Sequence, residues 1–246
     1  MKIKAPAKVN MFLKITGHDG YYHLLNSRFM KVDNLYDEIE IVESDKFDIK
    51  GDINCALRDN TVFKAYVELT QEYSEIKKWF IGKEIRIKKN IPEMAGLGGG
   101  SSDAAAFLKL VNEKSKLNLS TEELIKIGKK IGSDVAFFLY DCDVADVYGR
   151  GDIVKPRNEK ALNLEIFTPP IECSTPDVYK MYKEQFFNPS PTDLDKKETT
   201  EILQNFSPTE LNDLLKPALM LYPELNRYLH YGFFSGSGSS FFRPIS

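Results

Sequence analysis

Residues 92–107 read PEMAGLGGGSSDAAAF, and no other stretch narrows the possible folds as far. Gly96, Gly98, Gly99 and Gly100 fall within five residues, and Ser101, Ser102 and Asp103 follow. The preceding KEIRIKKNI has the alternating, branched character of a strand that ends at Pro92. The pattern from Ser102 to Lys114 predicts a helix. Strand, glycine loop and helix thus stand in series. Glycines let the backbone turn sharply and approach a ligand with no Cβ in the way. The first amides of the helix have no intrahelical acceptor, and the helix dipole adds about half a positive charge there. The segment reads as an anion cradle. The plainer alternative is a tight strand-to-helix turn with serine caps.

Two familiar phosphate loops do not fit. A Walker A loop needs a lysine directly after its last glycine, and none stands here. A dinucleotide loop of the form GxGxxG, begun at Gly98, would need glycine where Asp103 stands.

Around the loop the chain alternates strand and helix signals. KVNMFLKIT and DEIEIVE read as strands with HDGYYH as the turn-rich loop between them. DNTVFKAYVELTQEY predicts a helix capped by Asn60 or Thr61. STEELIKIGKKIG predicts another, with Ser120 and Glu123 as a capping box and Gly132 as the C′ glycine. VADVYGRGDIVKP reads as strand, turn and strand, and LNLEIFTPP as a strand closed by prolines. FFSGSGSSFFRP places a second glycine-serine turn between aromatic strands. The texture becomes more polar and proline-punctuated after about residue 156, so two domains are expected, 1–153 and 154–246.

Charge and cysteine content bound the partners. The net charge of −3 gives no general attraction for nucleic acid. Three scattered cysteines without CxxC spacing read as reduced thiols of a cytoplasmic protein, and three histidines offer no zinc pattern. No signal-type apolar segment opens the chain and no run of 18 apolar residues occurs, so no membrane partner is expected.

GLGGGSSDAA resembles the ATP-binding motif of the GHMP kinases, and within them most closely that of the 4-diphosphocytidyl-2-C-methyl-D-erythritol kinase family. APAKVNMFLKITG, YYHLLNSRF, IGSDVAFFL, GRGD, STPDVY and FSGSGSSFF are similar to further motifs of that family, in the family's order. The resemblance implies an α+β, two-lobed GHMP kinase fold: an N-terminal ATP-binding and catalytic lobe and a smaller C-terminal α+β substrate lobe, with the site in the cleft. It implies ATP and Mg²⁺ as cofactors and a cytidine diphosphate-linked polyol as the small-molecule substrate. The family also contains relatives acting on other small alcohols, and a non-catalytic nucleotide- or RNA-binding module is the alternative from another class.

The residue roles follow from the same resemblance. Lys8 and Asp134 match the catalytic pair. A free aspartic acid has a pKa near 3.9 and water about 15.7, so Asp134 would orient the hydroxyl and take its proton late. Taken alone, Asp134 could be a helix cap and Lys8 a solvated strand lysine. Gly96, Gly98, Gly99, Gly100, Ser101 and Ser102 match the phosphate cradle. Asn60, Thr61 and Lys89 stand where the family places adenine contacts, although a helix cap and a strand lysine explain them equally well. Asn10, Tyr22, His23, Thr175 and Tyr179 match the cytidine site, with Tyr22 and Tyr179 expected to sandwich the ring. Gly236 and Gly238 match a turn approaching the substrate diphosphate, or form a simple hairpin turn. Asp103 is either an outer partner of Mg²⁺ or a first-turn helix acid and is left unassigned.

The chain departs from the pattern in three places. Tyr21 replaces the usual glycine before the Tyr-His pair, so either Tyr21 or Tyr22 is placed to stack. Ala136 replaces the usual proline. The family usually continues for a strand and a helix beyond the last glycine motif, which leads us to expect a pared-down second lobe or a shortened chain.

Overall fold

The computed structural model describes residues 1–140 and 142–245. In chain order its main elements are β1 (Lys2–His18), β2 (His23–Glu43), β3 (Asp48–Gly51), α1 (Thr61–Glu72), β4 (Lys83–Lys88), α2 (Gly99–Ser115), α3 (Thr121–Ile131), α4 (Val135–Leu139), β5 (Val144–Gly149), β6 (Ile153–Pro156) and β7 (Leu164–Phe167). Then follow α5 (Thr175–Met181), α6 (Thr199–Asn205), α7 (Pro208–Leu211), α8 (Leu215–Leu221), β8 (Phe233–Phe234) and β9 (Phe241–Pro244). Two compact units result, each assembled from three separate segments. The first comprises Met1–Ala7, Asp33–Ile91 and Gly99–Asp141, the second Lys8–Val32, Pro92–Gly98 and Cys142–Ser246.

In the first unit β4 runs antiparallel to the C-terminal half of β2 and parallel to β3. Alternation sets the register. Ile41 faces Ile85, Ile39 faces Ile87, and Ile49 also pairs with Ile85, so the buried isoleucines share one side of the sheet. The opposite side is charged and laced with ion pairs, such as Lys50 and Arg86 on Glu84 at 2.5 and 2.8 Å. α1 buries Val62, Ala65 and Leu69, and α2 buries a run from Ser102 to Leu108. Three alanines in that run keep the surface of α2 shallow where its neighbours pack. α3 carries the expected capping box of Ser120 and Glu123. Gly132 ends it with extended backbone at φ −177°, which any residue adopts, so the helix closes without the left-handed C′ glycine the sequence suggested.

In the second unit β5 pairs antiparallel with the N-terminal half of β2, from Leu25↔Gly149 to Met30↔Val144, and β6 with β5. β7, β9 and β8 form a separate three-stranded antiparallel sheet. Phe234 and Phe241 from that sheet join Leu13, Ile15, Val178, Leu214 and Ala218 in one apolar core.

Arg28 on β2 is fully buried in this unit. Its guanidinium donates to Asp146 at 2.8 Å, to the Lys197 carbonyl at 2.7 Å and to the Asp195 carbonyl at 3.1 Å. Arg157 donates to the other oxygen of Asp146 at 2.8 Å and likewise to the Asp195 carbonyl. Two arginines thus fasten the irregular 195–199 segment to the sheet. Removing one partner of a buried pair strands the other charge. Arg28→Met is expected to lower unfolding free energy by about 3–5 kcal/mol, read as a drop in the urea midpoint with little change in slope.

Candidate active site

The second unit holds about half of the predicted site residues, with Lys8, Asn10, Gly96, Gly98, Gly236 and Gly238 in or beside the loop Pro92–Gly98. Lys8 lies in the middle of β1 and is 4% exposed, so it is not the solvated strand lysine of a local reading. Its ammonium donates to Asn10 Oδ1 at 2.7 Å and to the Gly96 carbonyl at 3.2 Å, and it lies 4.6 Å from the centre of the Phe29 ring. Asn10 Nδ2 in turn donates to Ser27 Oγ at 2.9 Å. Both polar ends of the Asn10 side chain therefore serve to hold Lys8 in place.

Gly96 is where glycine is required. Its φ is +74°, and a Cβ there would lie 2.1 Å from the Ser235 carbonyl oxygen. The segment 235–240 thus packs backbone to backbone on residues 95 and 96. Ser235 Oγ donates to the Gly96 carbonyl at 3.0 Å, and the Ser240 amide to the Ala95 carbonyl at 3.1 Å. Gly236 and Gly238 sit in this turn, which also links β8 to β9. Asn212 braces it by donating to the carbonyls of Phe234 and Gly236 at 3.0 and 2.9 Å. Thr175, at the start of α5, reaches the same turn through Ser237 at 2.7 Å.

The aromatic residues of the unit assemble beside β2. The His23 ring lies 5.2 Å from that of Tyr179 at an interplanar angle of 34°, with Tyr182 and His18 edge-on. His23 Nε2 is buried and has no protein partner. Burial, then the charges of His18 and Lys183, hold this imidazole below its usual range, so it stays neutral near pH 7. A neutral ring with an unused nitrogen suits the edge of a base. Tyr22 is 56% exposed and carries the Arg150 guanidinium over its ring, while Tyr21 is 88% exposed.

The first unit holds the other half. α2 begins at Gly99, three residues before the predicted start, so Gly99 and Gly100 form its first turn. Their neighbours explain the absence of side chains. A Cβ on Gly99 would lie 3.1 Å from Ile91 and 3.3 Å from Lys89 Nζ, and one on Gly100 3.3 Å from Thr61 Oγ1. Thr61 donates to the Gly100 carbonyl at 2.6 Å, and Asn60 caps α1 by accepting from the amides of Val62 and Phe63. Ser102 Oγ, in the first turn of α2, is buried with no protein partner. Ser101 Oγ lies 3.6 Å from the position of a Cβ on Gly132, which brings the Gly132–Asp134 turn beside the start of α2. Asp134 occupies the N-cap position of α4 but makes no capping hydrogen bond with its side chain.

Lys89 is drawn into a charge cluster that nothing local in the sequence marks. Its ammonium contacts Asp37 at 2.5 Å and Asp103 at 2.7 Å. The other oxygen of Asp37 accepts from the amides of Asn90 and Ile91. Burial opposes the Lys89 charge, but the two carboxylates outweigh it and raise the ammonium above its usual range. Burial pushes the Asp103 carboxyl up, against the pull of Lys89.

The free amides at the start of α2 and the orphaned Ser102 hydroxyl beside them suit a phosphate group. Among the described residues no group of three His, Cys, Asp or Glu side chains could hold a metal. A divalent ion here would take its ligands largely from phosphate and water, as Mg²⁺ commonly does, with Ser102 the fitting side chain. Among the same residues no helix is long and apolar enough to cross a membrane.

Gly96→Ala should force the 235–240 turn off the loop, and a melting temperature several degrees below that of the parent, with turnover lost, is the expected result. Lys89→Met leaves Asp37 and Asp103 facing each other, and chemical denaturation should register a loss of about 3–5 kcal/mol.

The family described as GHMP kinases N terminal domain matches residues 60–142. A relative from Sulfurimonas denitrificans, named 4-diphosphocytidyl-2-C-methyl-D-erythritol kinase, is 46% identical over 99% of this chain and 97% of its own length. A relative of the same name from Campylobacter jejuni is 44% identical over 98% of this chain and 99% of its own. A crystal structure of a 4-(cytidine 5'-diphospho)-2C-methyl-D-erythritol kinase is similar with a TM-score of 0.78 and 30% identity, covering 100% of this chain and 90% of that one. Similarity of this extent, along nearly the whole length of the chain, makes it a GHMP kinase and a member of the 4-diphosphocytidyl-2-C-methyl-D-erythritol kinase family.

Proposed function

We propose that this protein transfers the γ-phosphoryl group of ATP to the 2-hydroxyl of 4-diphosphocytidyl-2-C-methyl-D-erythritol, a step of non-mevalonate isoprenoid precursor biosynthesis carried out in the cytoplasm. The observation that carries the reading is Lys8. A lysine 4% exposed, aimed by Asn10 and the Gly96 carbonyl, is a fixed positive charge beside a glycine loop. Such preorganised charge lowers the energy of a transferring phosphoryl group more than a solvated lysine could.

The residues divide the work as follows. The amides at the start of α2, with Gly96, Gly98, Gly99, Gly100, Ser101 and Ser102, bind the phosphates. Asn60 and Thr61 line the adenine side, while Lys89, engaged with Asp37 and Asp103, supports it by fixing the start of α2. His23 and Tyr179 recognise the cytosine, with Tyr22 and Thr175, Asn10 acts through its hold on Lys8, and Gly236 and Gly238 approach the diphosphate. Residues 1–153 carry the nucleotide and the catalytic pair, and 154–246 contribute to the substrate. Asp134 accepts a hydrogen bond from the substrate hydroxyl and orients it. As the oxygen–phosphorus bond forms, the bond from the γ-phosphorus to the ADP oxygen breaks and the hydroxyl proton passes to the Asp134 carboxylate. Mg²⁺, when bound, neutralises phosphate charge.

Incubation with ATP, Mg²⁺ and the cytidyl alcohol should yield a new phosphomonoester on the 2-oxygen, located by phosphorus and carbon NMR. Asp134→Asn should lower kcat by about 10²–10⁴-fold and leave nucleotide affinity little changed, the range expected for a lost proton acceptor. Turnover of mevalonate or homoserine in place of the cytidyl alcohol would sink the substrate assignment. No ATP consumption with any alcohol would leave a nucleotide-binding module.

A further inference from the structure

The GRGD turn between β5 and β6 has no role in the chemistry above, yet its arginine is aimed at the substrate loop. Leu25 pairs with Gly149, so the β5–β6 turn lies alongside the chain just before β2. Gly149 and Gly151 both have positive φ, +67° and +95°, and the Arg150 amide donates to Asp152 Oδ1 at 3.1 Å. The turn is therefore a fixed mount for Arg150.

Arg150 makes two contacts from this mount. Its Nε donates to Asp19 Oδ2 at 2.9 Å, and a terminal nitrogen lies 2.6 Å from the same oxygen in the ion pair. Its guanidinium carbon lies 4.4 Å from the centre of the Tyr22 ring. Asp19 is the organiser of the loop. Its Oδ1 accepts from the amides of Tyr21 and Tyr22 at 3.0 and 2.7 Å, and its own amide donates to the Tyr22 carbonyl at 3.0 Å. The conformation that the glycine missing at position 21 would ease is supplied instead by Gly20, at φ +99°, and by this carboxylate.

We infer that Arg150, acting through Asp19 and Tyr22, is the positioning residue of the pyrimidine-recognition loop and sets affinity for the cytidyl part of the substrate. The inference rests on the substrate reading under Proposed function. A planar fork that pairs with a carboxylate while its face lies on a ring is a task for arginine and not for lysine. The amides of Tyr22 and Tyr21, and then Arg150, hold the Asp19 carboxyl down to about 2, so the clamp stays charged across the neutral range. A loop fixed before binding loses less freedom when the base arrives. Arg150 acts in this role through Asp19 and Tyr22, so it should affect recognition and not phosphoryl transfer.

The test uses the full chain and cytidine diphosphate as the probe. In Arg150→Gln, calorimetry should show cytidine diphosphate binding about tenfold more weakly, a loss of the order expected for a charged, stacked contact. KM for the cytidyl alcohol should rise by a similar factor, with kcat and KM for ATP within about twofold. Arg150→Lys should rescue little, because it keeps the charge and loses the fork. Asp19→Asn should match Arg150→Gln, and the double variant should be hardly worse than either. Hydrogen exchange of residues 18–24 should quicken in the free variant, with the melting temperature unchanged. If the parent binds cytidine diphosphate and the variants bind it equally well, the inference is overturned and the substrate reading survives. If the parent neither binds cytidine diphosphate nor phosphorylates the cytidyl alcohol, the substrate reading falls and takes the inference with it.

Discussion

The contact on which the candidate site of the second unit depends is made by two backbones. Residues 95 and 96 lie against the turn 235–240 at a distance that leaves no room for a side chain at Gly96. A hydroxyl from Ser235 and an amide from Ser240 complete the join, and Asn212 holds the turn from behind. The Gly96 carbonyl that accepts from Ser235 also accepts from Lys8. One carbonyl thus connects the late turn, the glycine loop and the buried ammonium. Backbone atoms suit this position because they place dipoles with little conformational freedom, whereas longer side chains would each lose rotamer entropy to reach the same geometry.

A second constraint governs the start of α2. Asp37 satisfies two amides just after β4 and pairs with Lys89, and Lys89 pairs with Asp103 in the second turn of the helix. The chain is tied to itself across 66 residues by one ammonium and two carboxylates. Buried ion pairs contribute little net stability relative to well-packed apolar side chains. Their effect here is geometric: the cluster fixes where the helix amides point. Because α2 starts at Gly99, the acid that the sequence placed in the first turn stands in the second, tethered to Lys89.

Local patterns in the sequence carry far in this protein. Asn60 as the cap of α1, the Ser120–Glu123 box and the alternation of Ile39, Ile41, Ile85 and Ile87 each follow from interactions within a few residues or from a strict period. The start of α2 is misread by three residues because glycine has poor helix propensity, and propensity is overridden where packing needs the smallest residue. The burial of Lys8 has no local signal, since a lysine in a strand is ordinarily solvated. Asp37, Asp146 and Asp19 are equally silent in sequence, because their partners Lys89, Arg28 and Arg150 lie 52 to 131 positions away. The compact units interleave three segments each, an arrangement that texture along the chain cannot express.

By itself the sequence determined that a glycine loop opens a helix, that an acid follows a helix at Asp134, and that an ordered series of motifs matches one kinase family. Glycine content, capping patterns and periodicity decide these locally, through allowed backbone angles and unpaired amides. Only the tertiary structure decided that the second glycine turn backs the first, that Asn10 is spent on aiming Lys8, and that Arg150 sits on Tyr22. Those outcomes depend on burial and on close approach between distant segments, and a hydrogen bond or an excluded Cβ has no meaning until both segments occupy the same space.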